Sequence, residues 1–376
     1  MNVVIVNCFD TYEQRVDLIY DYFKSKNCNI NVVQSDFRHF QKIKRDDKKE
    51  DFIFVKSDDY YKNISVKRIK SHYKFAKDAF KIIEKIRPDL LYVMIPPNSL
   101  AKFANKYKDE HKDVKLYFDI IDLWPETMPM GNFKQLSPFK YWRMLRDDNL
   151  HKSECVIVEC NLYKNVLKEV LKGVRTETLY LAKPNIDVDA FPTISNDEIH
   201  LCYLGSINNI IDIDKIKKLI GTLNSKKTTT LHIIGDGESK DILINEIYKT
   251  GSRIEYHGKV YDPIKKQKIF DKCHFGLNIM KDSVCVGLTM KSIDYFQHGL
   301  PIINNIKSDT TQIVEEYNIG FNLDESIEHI SNLILNLNSE EIQTMKINTM
   351  KLFNEKFSKS AFNLKLDSIF KEMYEN

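Results

Sequence analysis

The stretch VGLTMKSIDYFQHGLPII, residues 286–303, reads as a helix followed by a strand. Thr289 is a suitable N-cap, and apolar residues recur at helical spacing after it. The helix must stop at Gly-Leu-Pro, because Gly299 suits a helix end and Pro301 cannot continue one. The apolar residues that follow predict a short buried strand. This helix-to-strand succession is the repeating unit that decides the fold.

The same alternation of apolar runs and helix-length segments covers nearly the whole chain. The apolar runs are NVVIV (2–6), DLLYVMI (89–95), KLYFDII (115–121), ECVIVE (154–159), IHLCYLGSI (199–207), TTTLHIIGDG (228–237), RIEYHGKV (253–260) and HFGLNIM (274–280). Strands separated by helices in this way form a parallel sheet that helices cover on both faces. The fold class is therefore predicted as α/β, with two Rossmann-like doubly wound domains.

Chain length supports two domains, because 376 residues exceed the roughly 250–300 at which one hydrophobic core stops growing. The segment KPNIDVDAFPTISNDE (183–198) has two prolines and no helical period, which is typical of a linker. We predict an N-terminal domain over 1–183, completed by a C-terminal helix over 357–376, and a C-terminal domain over 184–356.

Composition excludes several classes of protein. No apolar run approaches the roughly 20 residues that span a bilayer, and the N-terminal residues lack the pattern of a signal peptide. The seven cysteines form no C-x-x-C pair, which argues against a disulfide framework or a zinc knuckle. The chain is expected in the cytoplasm, or at the inner face of the membrane.

Charge is unevenly distributed between the two halves. Residues 1–180 carry 33 Lys and Arg against 26 Asp and Glu, a net charge of +7, and the remainder carries −4. Six lysines repeat at helical spacing in the basic half: Lys67, Lys70, Lys74, Lys77, Lys81 and Lys85. This basic stripe is either a solvated helix face or a peripheral contact with anionic lipid. No nucleic-acid-binding motif accompanies it, so nucleic acid is not an expected partner.

The opening stretch also contains a candidate nucleotide site. A helix N-terminus presents free amides and partial positive charge, so the approach Gly287-Leu288-Thr289 with Lys291 in the first turn suits a phosphate. Asp294 lies three residues further on and can accept hydrogen bonds from two ribose hydroxyls. The alternative interpretation is a surface pair between Lys291 and Asp294 on an ordinary capped helix.

Several segments in order along the chain resemble one family. They are FDIIDLWPE (118–126), YLGSIN (203–208), HIIGDGES (232–239), IEYHGKV (254–260), FGLNIM (275–280) and the opening stretch. Together they resemble the GT-B glycosyltransferases, in particular the retaining family-four transferases of bacterial envelope saccharides. The resemblance implies two Rossmann-like domains that face a central cleft.

The resemblance also implies the site residues. On the donor side these are Gly205, Ser206, Gly258, Lys259, Val260, Gly287, Leu288, Thr289, Lys291 and Asp294. On the acceptor side they are Arg15, Asp122, Trp124 and Glu126. The expected catalytic residues are Asp122, Glu126 and Lys291. In DLWPE, Trp124 is expected to present an aromatic face to a sugar, flanked by the two acids. The alternative is a tryptophan packed against Met128 and Met130, with both carboxylates in water.

The implied activity is hexosyl transfer from a nucleoside diphosphate sugar to a saccharide or lipid-linked saccharide, in envelope or capsular polysaccharide synthesis. UDP is favoured over GDP or dTDP, and retention without a metal or other cofactor is expected. Asp-x-Asp pairs at 187–189 and 212–214 are the candidate metal motifs, but acids are common at a helix start, so no metal site is predicted.

Two alternatives remain open. Ser206, Val286 and Ile121 depart from the residues common in the family, which would suit a catalytically inert GT-B subunit that supports a partner transferase. A sugar-nucleotide epimerase of the same fold is the second alternative, disfavoured by the Trp-Pro-Glu segment.

Overall fold

A computed structural model describes residues 1–62, 65–128, 136–186, 190–323 and 326–374. These residues divide into two compact units, one of residues 1–181 with 362–376 and one of residues 182–361. The first is called unit 1 and the second unit 2.

Unit 1 is built on a seven-stranded parallel sheet. Its strands, with a separate two-stranded antiparallel ribbon of β3 and β4, are β1 (Asn2–Asn7), β2 (Asn29–Ser35), β3 (Phe37–Arg38), β4 (Ile43–Lys44), β5 (Phe52–Val55), β6 (Leu90–Ile95), β7 (Lys115–Ile120), β8 (Cys155–Val158) and β9 (Thr176–Thr178). The sheet order is β5-β2-β1-β6-β7-β8-β9. Every residue of β6 is buried, as expected for a central parallel strand covered on both faces.

Helices cover the sheet of unit 1. They are α1 (Glu13–Ser25), α2 (Val66–Ile86), α3 (Ser99–Glu110), α4 (Ser137–Asp147) and α5 (Asn161–Val166). A short 3₁₀ turn, Asp10–Tyr12, precedes α1. Ser65 caps α2 by accepting a hydrogen bond from the Arg68 N–H. One face of α2 is buried through Phe75, Ala79 and Ile83, and the predicted basic stripe lies on its exposed face.

Unit 2 is a six-stranded parallel sheet with its own helices. The strands are β10 (Ile199–Leu204), β11 (Thr229–Ile234), β12 (Arg253–Gly258), β13 (Phe275–Asn278), β14 (Ile302–Asn304) and β15 (Gly320–Asn322), in the order β12-β11-β10-β13-β14-β15. The helices are α6 (Ile213–Asn224), α7 (Lys240–Tyr248), α8 (Pro263–Phe270), α9 (Met290–Gln297), α10 (Asp309–Tyr317), α11 (Ile327–Asn336) and α12 (Ser339–Leu352).

The last helices return to unit 1. A π-helical turn, Phe353–Phe357, leads to α13 (Lys359–Ile369) and α14 (Lys371–Tyr374). The ring of Phe370 lies 5.0 Å from that of Phe23 and 4.7 Å from that of Tyr117, measured between centroids. The C-terminal helices thus complete the aromatic core of unit 1.

Each sheet reverses its strand order once, as doubly wound sheets do. The reversal lies between β1 and β6 in unit 1 and between β10 and β13 in unit 2. Ligands of such sheets bind beyond the carboxyl ends of the strands at this point. The predicted α/β class with two Rossmann-like sheets is confirmed.

Candidate functional site

Helix α9 is anchored at the point where the strand order of unit 2 reverses. The buried Tyr295 hydroxyl donates towards the carbonyl oxygens of Cys202 (3.1 Å) and Leu277 (3.3 Å) and accepts from the Leu204 N–H (2.8 Å). A side chain at Gly276 would overlap the Tyr295 ring, so glycine is needed there. These contacts place the first turn of α9 beside the carboxyl ends of β10 and β13.

Three glycine-containing loops at the donor side of unit 2 pack against each other. Gly205 and Gly235 follow β10 and β11, and Gly258 ends β12; the Gly235 N–H donates to the Gly258 carbonyl (2.8 Å). Gly235 has φ +143°, and a Cβ there would overlap the Gly205 carbonyl oxygen. Ser206 and Lys259 are exposed at the same edge. The structure therefore brings together the backbone at the ends of three adjacent strands, β10, β11 and β12. Lys259 and Val260 directly follow the last of these strands.

The approach to α9 is fixed by side-chain hydrogen bonds. Thr289 caps the helix by accepting from the Ser292 N–H (3.2 Å), and its hydroxyl donates to the Asn278 side chain (2.9 Å). The Gly287 carbonyl accepts from the Thr310 hydroxyl (2.7 Å), with Leu288 between these two fixed points. The predicted N-cap is confirmed, and the segment before the helix is held in one position.

Lys291 and Asp294, three residues apart on α9, have different surroundings. The Lys291 ammonium lies 4.8 Å from the centroid of the Tyr203 ring, a cation–π distance. Within the described part of the chain it has no carboxylate partner. Burial lowers the pKa of Lys291 to about 8, because its charge is poorly solvated. The side chain is half-buried and still carries its proton at neutral pH.

Asp294 is bound by two lysines from other segments. Its carboxylate lies 2.7 Å from the Lys183 ammonium and 2.9 Å from that of Lys266, on α8. Burial raises the pKa of Asp294, but the two ammonium groups outweigh burial and hold it below its ordinary value. The alternative of a Lys291–Asp294 surface pair is thus wrong. No sequence signal pointed to Lys183 or Lys266, because neither lies near Asp294 along the chain.

In unit 1, the predicted acceptor residue Arg15 is an internal group. Its guanidinium is 1% exposed and makes a two-pronged ion pair with Asp119, at 2.7 and 2.8 Å. The Tyr92 hydroxyl donates to the same carboxylate (2.6 Å), and Arg15 also donates to the Leu179 carbonyl. This buried network ties α1 to the sheet, so the structure argues against an acceptor contact for Arg15.

Trp124 is likewise internal. The indole is 8% exposed, lies 6.0 Å from the Trp142 ring and is covered by the Arg68 guanidinium at 4.4 Å. With 8% of the side chain exposed, little of the ring is left for a sugar, contrary to the expectation of an aromatic face presented to one. Asp122 accepts from the Trp124 indole N–H (2.6 Å) and from the Thr127 hydroxyl (2.6 Å). Burial raises the pKa of Asp122.

Glu126 completes this structural cluster. Its carboxylate accepts from the Arg146 guanidinium at 2.9 and 3.1 Å and lies 3.2 Å from Arg143. Arg146 is fully buried and also donates to the Trp124 carbonyl (2.9 Å) and to Asp147. Glu126 is therefore held by two arginines, and its expected role in catalysis stays a prediction.

Sequence reasoning missed Glu159, directly after β8. No described residue donates a hydrogen bond to its carboxylate. The pKa of Glu159 is raised to about 8, because burial and the nearby charges of Asp122 and Asp119, which raise it, outweigh Arg15, which lowers it. This carboxyl can hold or release a proton near neutral pH. The only sequence signal was its position at a strand's carboxyl end, within ECVIVE.

One of the two candidate metal motifs belongs to a helix cap. Asp212 caps α6 by accepting a hydrogen bond from the Lys215 N–H (2.9 Å), which accounts for an acid at that position. The pair at 187–189 falls outside the described residues. None of the helices that the structure describes is both long and apolar enough to cross a membrane.

Comparison with known proteins agrees with this architecture. Residues 217–366 match the family model described as Glucosyltransferase 3-like, C-terminal domain. This segment contains Lys291 and Asp294 and most of unit 2. A search of curated protein sequences finds no match.

Solved structures resemble the chain over its full length. Sucrose-phosphate synthase from Thermosynechococcus elongatus superposes with a TM-score of 0.73 at 12% identity, over 100% of this chain and 99% of that one. The lipopolysaccharide outer core galactosyltransferase WaaB gives 0.70 at 14% identity, over 99% and 100%. Anabaena HepE in complex with UDP gives 0.69 at 10% identity, over 99% and 100%. At such identities the likeness establishes the fold, which is GT-B. The family-model match and these neighbours support the class of enzyme expected from the sequence, a glycosyltransferase.

Proposed function

We propose that this chain transfers a hexosyl group from a UDP-sugar to a saccharide or lipid-linked saccharide, in envelope or capsular polysaccharide synthesis. The observation that carries the proposal is the Lys291 ammonium. It lies in the first turn of α9, half-buried, and no carboxylate in the described part of the chain neutralises it. A cation held in this way beside helix N–H groups suits a diphosphate.

The proposed reaction uses that placement. The bond between the anomeric carbon and the diphosphate breaks, and the acceptor oxygen forms a new bond to the same carbon. The departing diphosphate takes the acceptor's proton, so anomeric configuration is retained and no covalent intermediate is needed. Lys291 and the N-terminus of α9 stabilise the charge that leaves with the diphosphate. In the proposed chemistry, Lys291 and the helix N-terminus take the place of a metal ion in stabilising this charge.

The base and ribose are assigned by position. Gly258, Lys259 and Val260 lie at the end of β12 and are proposed to contact the base. Asp294 keeps acceptor capacity beyond its two lysines, since a carboxylate has about four lone-pair sites. It is proposed to bind the ribose hydroxyls while Lys183 and Lys266 hold it in place. Support for UDP comes from Anabaena HepE, whose structure contains that nucleotide.

Calorimetric titration of Lys291→Ala with UDP and with uridine tests the proposal. UDP affinity should fall at least tenfold, about 1.4 kcal/mol or more, while uridine affinity stays unchanged, because the lysine contacts only phosphate. Lys268→Ala, an exposed lysine on α8, is the matched control and should bind both ligands as the wild type does. An equal loss for UDP and uridine, or no loss, would contradict the assignment of Lys291.

Activity separates the enzyme from its alternatives. Slow release of UDP from a panel of UDP-sugars is expected for the transferase, even without acceptor. An inert supporting subunit would release none. An epimerase would convert the donor sugar, which chromatography of the nucleotide sugars detects.

Unit 1 is also proposed to contact anionic membrane. An apolar groove runs between α2 and α4, lined by Ile69, Tyr73, Tyr141 and Trp142, and Lys70, Lys74 and Lys77 form its rim. Lysines around an apolar floor suit lipid headgroups above acyl chains. The groove favours a contact between the basic stripe and anionic lipid over the alternative of a solvated helix face.

Vesicle binding tests this contact. Lys70 and Lys77 have no ion-pair partner among the described residues, so reversing both charges leaves the rest of α2 undisturbed. The double change Lys70→Glu with Lys77→Glu should weaken binding to anionic vesicles by about 2 kcal/mol, roughly 30-fold, in a salt-sensitive way. The double variant Lys265→Glu with Lys268→Glu on α8 carries the same charge change. Equal weakening by both pairs would assign the effect to net charge alone.

A further inference from the structure

A cluster of histidines lies on the sheet of unit 2, away from α9. His200, His232 and His257 come from the neighbouring strands β10, β11 and β12. The rings of His232 and His257 are parallel, with centroids 5.4 Å apart, and Glu255 pairs directly with His232 across the two strands. No metal motif in the sequence marks this place, because the residues come together only through strand pairing.

Three atoms of the cluster have the spacing of metal ligands. His232 Nδ1 lies 3.1 Å from His257 Nε2 and 3.3 Å from Glu255 Oε2, and the last two atoms are 3.9 Å apart. A triangle with these sides has a centre about 2.0 Å from each corner, which matches the usual zinc–nitrogen and zinc–oxygen distances.

A bulge in β12 creates this spacing. Ile233 pairs with Tyr256 and Ile234 with Gly258, so His257 is the extra residue of the edge strand. A bulge re-aims a side chain that regular pairing would place elsewhere. Here it brings the ring of the extra residue beside the buried histidine of β11.

The surroundings support a ligand role for His232. Its second ring nitrogen, Nε2, lies 3.0 Å from His200 Nδ1, and His200 Nε2 lies 3.6 Å from Glu198. Metal-binding histidines characteristically donate their other N–H to an acceptor, which fixes the tautomer and the ring. Here the acceptor is His200 Nδ1, and Glu198 lies close to the far side of that ring. The Glu255 side chain is 48% exposed, so water can reach the cluster from its side.

We propose that His232, His257 and Glu255 bind one zinc ion, with His200 as the positioning residue behind His232. Two imidazoles and one carboxylate suit Zn²⁺ and disfavour Mg²⁺ or Ca²⁺, which take oxygen ligands. The fourth position belongs to water or to an incoming ligand. The site does not depend on the proposed transferase activity. It lies on the strand that ends at Gly258, so a bound ion would hold the edge strand β12 against β11.

Calorimetric titration of the chelator-stripped full chain with ZnCl₂ tests the site. The wild type should bind one zinc ion per chain, and both His257→Ala and Glu255→Ala should weaken that binding at least tenfold, as loss of one of three ligands requires. His200→Phe removes the partner of His232 and should weaken zinc about 10-fold to 100-fold. His151→Ala, an exposed histidine in unit 1, is the control and should bind as the wild type does. MgCl₂ should give no heat above dilution.

Two further readouts keep the outcome clear. The metal-free variants should melt at the wild-type temperature, because Glu255 and His257 are partly exposed; zinc should then raise the melting temperature of the wild type and not of the variants. Cobalt substituted for zinc should give visible bands without thiolate charge-transfer absorption. Thiolate absorption, or wild-type zinc affinity in both His257→Ala and Glu255→Ala, would overturn the proposal.

Discussion

The sequence predicted functional residues both in the Trp-Pro-Glu segment of unit 1 and at the start of α9 in unit 2. In the structure, the charged side chains of these two regions have different partners. Glu126 is bound by Arg146 and Arg143, and Asp122 by the side chains of Trp124 and Thr127. Lys291 lies on a tyrosine ring without a carboxylate partner in the described chain. Charges with internal partners stabilise the fold, whereas a half-buried charge without one is available to a ligand.

The largest effect should come from breaking the paired cluster. Arg146→Ala leaves Glu126 and Asp147 without their buried cation and removes a donor to the Trp124 carbonyl. Loss of one partner of a buried ion pair typically costs about 3–5 kcal/mol, so the free energy of unfolding of unit 1 should fall by that amount. Urea unfolding followed by tryptophan fluorescence measures it, since Trp124 and Trp142 are the two tryptophans of the chain. A fall below about 1 kcal/mol would show that the cluster is not structural.

An intermediate effect is expected at Asp294, which shares features of both regions. Asp294→Asn removes the charge that holds Lys183 and Lys266, and each charge-assisted hydrogen bond is worth about 1.5–3 kcal/mol. The asparagine oxygen can still accept from one of the two ammonium groups, so stability should fall by about 1.5–3 kcal/mol, the loss of one such bond. Affinity for uridine and UDP should fall together, because both contain the ribose. Lys266→Ala is the matched control for stability. If Asp294→Asn destabilised the protein while uridine and UDP bound as before, Asp294 would be a structural residue only.

The smallest effect is a pH dependence of ligand binding. The pKa of Lys291 is about 8, below the ordinary lysine value, so the protonated fraction falls as pH rises above 8. Only the protonated form attracts the diphosphate; UDP affinity should thus fall with rising pH by up to tenfold per unit, about 1.4 kcal/mol, until the pKa of the bound state is reached. Lys291→Arg should keep its affinity to higher pH. Identical profiles for wild type and Lys291→Arg would assign the titration to another group.

The fold could be predicted from local patterns because each element carries its own signal. Residues 2–6 were expected as a strand and form β1 (Asn2–Asn7), and Thr289 caps α9 as the spacing indicated. Within the segment TETLYLA (176–182), at one edge of the unit 1 sheet, only Thr176–Thr178 forms a strand, β9. Its edge position offers a single pairing partner, β8, which shortens the ladder.

The site was harder to predict than the fold because pairing across the sequence decides which charges are free. Glu126 could not be recognised as structural without Arg146, nor Asp294 as doubly paired without Lys183 and Lys266. The zinc cluster depends on strand register and on one bulge, neither of which composition or spacing reveals. The sequence correctly placed Lys291 in the first turn of a helix. Only the structure could show that no acid in the described chain neutralises it.

The return of the last helices has a consequence for biosynthesis. Phe370 fills the core of unit 1 between Tyr22, Phe23 and Tyr117, yet the ribosome makes all of unit 2 before it reaches that residue. Unit 2, a continuous stretch of chain, can fold as soon as it emerges. Unit 1 cannot complete its aromatic core until Phe370 has been made, so it should finish folding after unit 2 although residues 1–181 are translated first. Chaperone contact during synthesis should therefore concentrate on residues 1–181.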